Sequence, residues 1–159
     1  MPINVVKFPP LLLILELIMA DKTKTKTKTK NNTKNKTIAP ILLKWLEIPE
    51  AHDYPAAESY LNLIYDVKTA AGFSQQLKAS PIVSFHAKDI FRASGLSLLG
   101  VSNSHVKIDQ KKIIAGKSLS PLLLVRDKVN GKVIIADGYH RLCAVYGFDE
   151  DSVIPCKIV

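Results

Sequence analysis

Apolar positions in this chain gather into short runs separated by strong turn signals. Pro121 opens Leu122–Arg126, an unbroken Leu/Val run that reads as a buried strand. Asn130-Gly131 follows, the strongest short hairpin signal, so Lys132–Ala136 is expected to return antiparallel. Asp137-Gly138-Tyr139-His140-Arg141 then reads as a tight glycine turn opening a helix to Tyr146, with Gly147 as its stop. After the acidic loop Asp149–Asp151, a last strand is expected over Ile154–Ile158.

The earlier half is more helical. Pro55 suits a helix start, and Ala56–Val67 sets Ala57, Tyr60, Leu61, Ile64 and Tyr65 on one stripe, which predicts a core-facing helix. A second helix is expected near Ala70–Ala79, and Pro81–Phe85 reads as a short strand. His86–Ser94 predicts a helix ended by Gly95, with Asp89 and Arg92 spaced for a surface ion pair. The alternative is that Lys88 or Arg92 faces a bound anion. Val106–Ile108 reads as a short strand, and Asp109 as the N-cap of a helix over Gln110–Ala115 that Gly116 ends. His86 and His105 lack metal-ligand spacing and are taken as structural.

The N-terminal stretch differs in kind. Leu11–Met19 is apolar but interrupted by Glu16, and it falls short of the roughly 20 residues a membrane span needs. It reads as a signal peptide, a true extension, or a misplaced start with translation beginning at Met19; the last is the favoured reading. Asp21–Thr37 alternates Lys with Thr and Asn and has no apolar residue, so it is expected to be a disordered tail. Two roles fit that tail: non-specific nucleic-acid contact through its lysines, or simple solubilisation, which the absence of Arg and aromatic residues favours. The expected organisation is thus 1–37 as leader and tail, and 38–159 as one domain with a helical part over 38–80.

The formal charge of +8 is mostly tail. Residues 1–38 hold eight of the 22 basic residues and two of the 14 acidic ones, a balance of +6, which leaves +2 for the other 121 residues. Cys143 and Cys156 are too few for a disulfide framework and sit among apolar neighbours, so two reduced, buried thiols and a cytoplasmic location are expected.

The chemistry concentrates in the glycine turn. A strand–glycine–helix junction aims backbone N–H groups and the positive end of the helix dipole at one point, where a phosphate is favoured. Gly138, Tyr139, His140 and Arg141 are therefore the candidate binding residues, with Arg141 offering a fork of donors. Asp137 is the candidate magnesium ligand; its alternative role is to cap the turn.

Ser120-Pro121-Leu-Leu-Leu-Val-Arg126, the hairpin, Ile135-Ala-Asp-Gly138-Tyr-His-Arg141-Leu-Cys-Ala144 and Ile154-Pro155-Cys-Lys-Ile-Val159 follow one another in order. This series resembles the ParB/sulfiredoxin superfamily over about Val106–Val159. ParB proteins there carry a proline-led strand, a G-E-R-R-x-R-A turn and an Ile-Pro strand; sulfiredoxins carry G-G-C-H-R. The resemblance implies an α/β fold (α+β) with a small mixed sheet and flanking helices. It also implies a nucleoside triphosphate, CTP or ATP, bound with Mg2+, its phosphates on Gly138, His140 and Arg141. Tyr139 stands where sulfiredoxins have their catalytic cysteine, so the thiolate that chemistry needs is missing. The glutamate of the ParB turn is missing too.

Three functions follow as expectations. The first is a nucleotide-binding domain acting as a hydrolase or phosphotransferase, for which Arg141→Ala is expected to abolish binding and spare the fold. The second is a DNA-associated or nuclease protein anchored by its basic tail. The third is a domain without catalysis that serves a protein partner. No membrane association is expected.

Overall fold

The computed structural model describes residues 42–159. The expected leader, the start at Met19 and the Lys/Thr tail all lie outside the described residues. Nine elements follow in order: α1 (Asp53–Leu61), α2 (Val67–Ala79), β1 (Val83–His86), α3 (Ala87–Ser94), α4 (Ser104–Ile114), β2 (Leu122–Asp127), β3 (Lys132–Asp137), α5 (Tyr139–Tyr146) and β4 (Val153–Ile158). The class is α/β: a mixed four-stranded sheet in the order β1-β4-β2-β3, flanked by helices. β1 and β4 are antiparallel, β4 and β2 parallel, and β2 and β3 antiparallel.

The sheet divides the core into two clusters by simple alternation. On one face Leu123 and Val125 of β2 meet Ala57 and Leu61 of α1 and Ala70 and Leu77 of α2. On the other, Leu122 and Leu124 meet Ile90 of α3, Val106 and Ile113 of α4, and Leu142–Val145 of α5. β2 is covered on both sides, which is why its sequence is continuously apolar instead of alternating. Both cysteines are free and buried in the second cluster, as expected. Burial pushes the Cys156 thiol up to about 12, which keeps it unreactive.

The hairpin turns at Gly131, whose φ of 62° lies in the left-handed region. Its register slips between Leu123 and Leu124, so that Leu123 faces Asp137 while Leu124 faces Ile135. A slip of this kind bends the strand and re-aims side chains. Here it falls immediately before the glycine turn.

Three expectations are corrected. The first helix ends at Leu61 instead of Val67. Ala57 and Leu61 are buried, but Tyr60 and Ile64 are exposed, because Asp66 caps a new helix by accepting from the Thr69 N–H at 3.0 Å. Val106–Ile108 is helical, not a strand, and Asp109 lies inside α4 and not at its cap. The cap is Asn103, whose side chain accepts from the N–H groups of His105 (3.0 Å) and Val106 (3.3 Å). No helix among the described residues is long and apolar enough to cross a membrane.

Candidate functional site

Gly138 sits between β3 and α5 with a φ of 98°, which L side chains rarely adopt. Space excludes them as well: a Cβ here would lie 2.8 Å from Leu122 Cγ, 3.1 Å from Arg141 Nη2 and 3.2 Å from Arg141 Nε. The glycine therefore both makes the turn and lets the Arg141 guanidinium lie across the backbone. The first α5 bond runs from the Leu142 N–H to the Gly138 carbonyl at 2.9 Å. The N–H groups of Tyr139, His140 and Arg141 precede it, and no side chain caps the helix start.

Arg141 is the centre of a charged cluster. It donates to Asp137, four residues earlier at the end of β3, and through Nη1 to Asp53 Oδ1 at 3.3 Å. Its Nε is buried without a hydrogen bond. Asp53 opens α1 and is only 1% exposed, so its charge must be met internally. Besides Arg141, it accepts from the Ser120 hydroxyl and, at 3.1 Å, from the Glu50 N–H. The Glu50 N–H also reaches Ser120 Oγ at 3.0 Å. Local strand-like pairing holds this corner in place. Leu46 N–H donates to the Leu119 carbonyl and Leu119 N–H to the Lys44 carbonyl, both at 2.8 Å, which lays the segment before α1 beside Ser120.

Electrostatics follow from burial. Burial pushes the Asp137 carboxyl up; Arg141 works against that and Asp53 adds to it, and the net direction is upward. With both carboxylates ionised the Asp53–Arg141–Asp137 cluster carries −1. Asp137 is the more open of the two, its side chain 22% exposed against 2% for Asp53.

The structure therefore brings Asp137, Gly138 and Arg141 together and sends the other two candidate side chains elsewhere. The Tyr139 hydroxyl donates to the Ser97 carbonyl, pinning the loop after α3, and burial raises its pKa. The His140 ring stacks near His105 of α4, centroids 4.9 Å apart and planes 32° apart. Burial first, and His105 second, push the His140 pKa down and favour the neutral ring. Lys88 pairs with Asp151, and Arg92 with Asp89 at 2.9 Å, so neither faces this turn. His86 is bound by its ring nitrogen at 2.7 Å to the Asp151 carbonyl oxygen.

Asp53 and Ser120 are the site residues that sequence reading missed. Asp53 stands two places before Pro55, in the first turn of α1, where an acid serves the helix dipole, and nothing nearby points to a partner 88 residues away. Glu50, His52 and Asp53 also bring potential ligand atoms within 4.8 Å of one another. Asp53 already shares its oxygens with Arg141, Ser120 and the Glu50 amide, and Glu50 and His52 are exposed, so a metal is not assigned to them. Asp137 is the more open carboxylate, its side chain 22% exposed beside an uncapped helix start, with Arg141 on its Oδ2. Comparison of the chain with protein-family models, curated proteins and solved structures finds no match.

Proposed function

We propose that this is a nucleotide-binding domain of ParB/sulfiredoxin type that takes CTP or ATP together with Mg2+ at the start of α5. Phosphoryl transfer or hydrolysis is the reaction class it would serve. The observation that carries this reading is the meeting of Asp53, Asp137 and Arg141 at an uncapped helix start. A buried ion cluster is a poor stability device compared with apolar packing, so its presence favours a chemical role. Because carboxylates outnumber guanidinium groups, the cluster suits a phosphate accompanied by a cation better than a bare phosphate. Mg2+ bound at Asp137 would neutralise phosphate oxygens. The first-turn N–H groups of α5 would hold those oxygens, and Arg141, freed from Asp137, would add its fork.

Melting the full chain with CTP, ATP, ADP, GTP or inorganic phosphate, with and without Mg2+, tests this. One nucleotide should stabilise the protein only when Mg2+ is present, by about 2.7 kcal/mol at 100 times its dissociation constant. Asp137→Asn should remove the Mg2+ dependence. A second reading rests on the pairing of both Arg141 Nη atoms with internal carboxylates: the cluster is a structural tie, and the domain serves a protein partner. A panel with no shift at any nucleotide would favour that reading.

A further inference from the structure

Away from the glycine turn, a cavity of about 420 Å³ opens on the α3 face of the sheet. Its floor is Leu124, Val133 and Ile158, one residue from each of three neighbouring strands, and Phe85 of β1 forms a wall. This volume lies in the range of small-molecule sites, which are mostly apolar with a few placed polar groups. The cavity lies beside α3, which is only eight residues long and ends at Gly95 with a φ of 66°. At this end of the sheet Arg126 is exposed, and Phe85 is 40% exposed.

The polar groups here have a definite balance. Leu122, Leu124 and Arg126 share one face of β2, so Arg126 projects at the mouth of the cavity. It is exposed and makes no ion pair or side-chain hydrogen bond among the described residues. Arg92, also at the mouth, is matched by Asp89 at 2.9 Å. The lining therefore carries one uncompensated positive charge over an apolar floor. An apolar cavity with a single unmatched guanidinium at its rim is complementary to a monoanion with an apolar body.

We propose that this cavity is a second binding site, for an aliphatic or aromatic carboxylate whose apolar part lies on Leu124, Val133 and Ile158 and whose carboxylate pairs with Arg126. It is separate from the nucleotide site. Val133 faces Arg126 across the hairpin while Asp137 faces Leu123, and the four-residue step from Val133 to Asp137 spans about 13 Å of strand. The proposal stands whether or not a nucleotide binds.

Titration of the full chain with octanoate, followed by amide and methyl NMR shifts, tests it, with 1-octanol as the uncharged match. Octanoate should saturate one site, with the largest shifts at Ile90, Leu124, Val133 and Ile158, and octanol should bind at least about tenfold more weakly. Arg126→Gln, at an exposed position, should lower octanoate affinity about tenfold and leave octanol unchanged. Ala93→Trp, on the exposed part of α3 lining the cavity, should block both ligands. Non-saturating shifts, or shifts centred elsewhere, would overturn the site. Equal affinities for octanoate and octanol, or an Arg126→Gln variant that binds octanoate as tightly as the unmutated chain, would overturn the assignment of an anion.

Discussion

Gly131 and Gly138, two of the four glycines with positive φ among the described residues, differ in what surrounds them, which separates conformational from steric demand. Gly131 has a φ of 62° and open space where a Cβ would go; Gly138 has a φ of 98° and Leu122 Cγ 2.8 Å from that position. An alanine at 131 meets only the left-handed backbone penalty, about 1–2 kcal/mol. At 138 it meets backbone strain and overpacking together, about 2–5 kcal/mol in all. Urea unfolding of Gly131→Ala and Gly138→Ala should show that order. Equal losses would mean that Leu122 and Arg141 give way without cost. The requirement at 138 also explains why Asp137, Gly138 and Arg141 occur as a unit: the guanidinium reaches back to its carboxylate over a backbone that has no Cβ.

At the scale of elements, sequence reading succeeded where hydrophobic pattern and punctuation agreed. β2, the Asn130-Gly131 hairpin, β3, α5 and β4 all lie where the runs and turn residues put them. It failed at α4 for a physical reason. The buried positions there are Val106, Asp109, Gln110 and Ile113, a helical spacing of three and four. Two of the four are polar, so the apolar period vanished, and Val106 and Ile108 imitated a strand. The candidate site was half legible for a similar reason: Asp137–Arg141 is a local motif, while Asp53 reaches Arg141, and Ser120 reaches Asp53, only through tertiary packing. Packing of α4 on α5 through His105 and His140 has a pH consequence. His140 is pushed below its ordinary 6.5 by burial, by His105 and by Arg141, against the pull of Asp109. The folded chain therefore binds that proton less readily than the unfolded chain. This contribution to stability is complete above about pH 6.5 and declines as pH falls through and below it. Denaturant midpoints at about pH 5 and pH 7.5 should differ less in His140→Gln than in the unmutated protein. An unchanged difference would assign the pH dependence to other groups.

Across the whole molecule, the Asp53–Arg141 contact joins parts that the sheet otherwise keeps apart. α1 packs on one face with Leu123 and Val125, and α5 packs on the other with Leu122 and Leu124. Asp53 at the start of α1 and Arg141 in the first turn of α5 meet at the sheet's end, beside Ser120 just ahead of β2. This changes the expectation that Arg141→Ala spares the fold. Removing the guanidinium leaves Asp53, 1% exposed, with only the exposed His52 ring, 3.5 Å away, as a basic neighbour, and leaves Asp137 beside it. Breaking a buried pair from one side typically costs about 3–5 kcal/mol, a large share of the roughly 5–15 kcal/mol that holds a domain folded. Neutralising the orphan should recover part of that loss. Asp53→Asn keeps the shape and can still bond Ser120, so the double variant Arg141→Ala/Asp53→Asn should be more stable than additivity allows, by about 0.5–3 kcal/mol. A double-mutant cycle by urea unfolding measures that coupling. A coupling near zero together with a small loss in Arg141→Ala itself would make Arg141 dispensable to the fold, and a loss of nucleotide binding in that variant could then be read directly as a lost phosphate contact. A coupling of the expected size means that the same loss must be read in a background where Asp53 has already been neutralised.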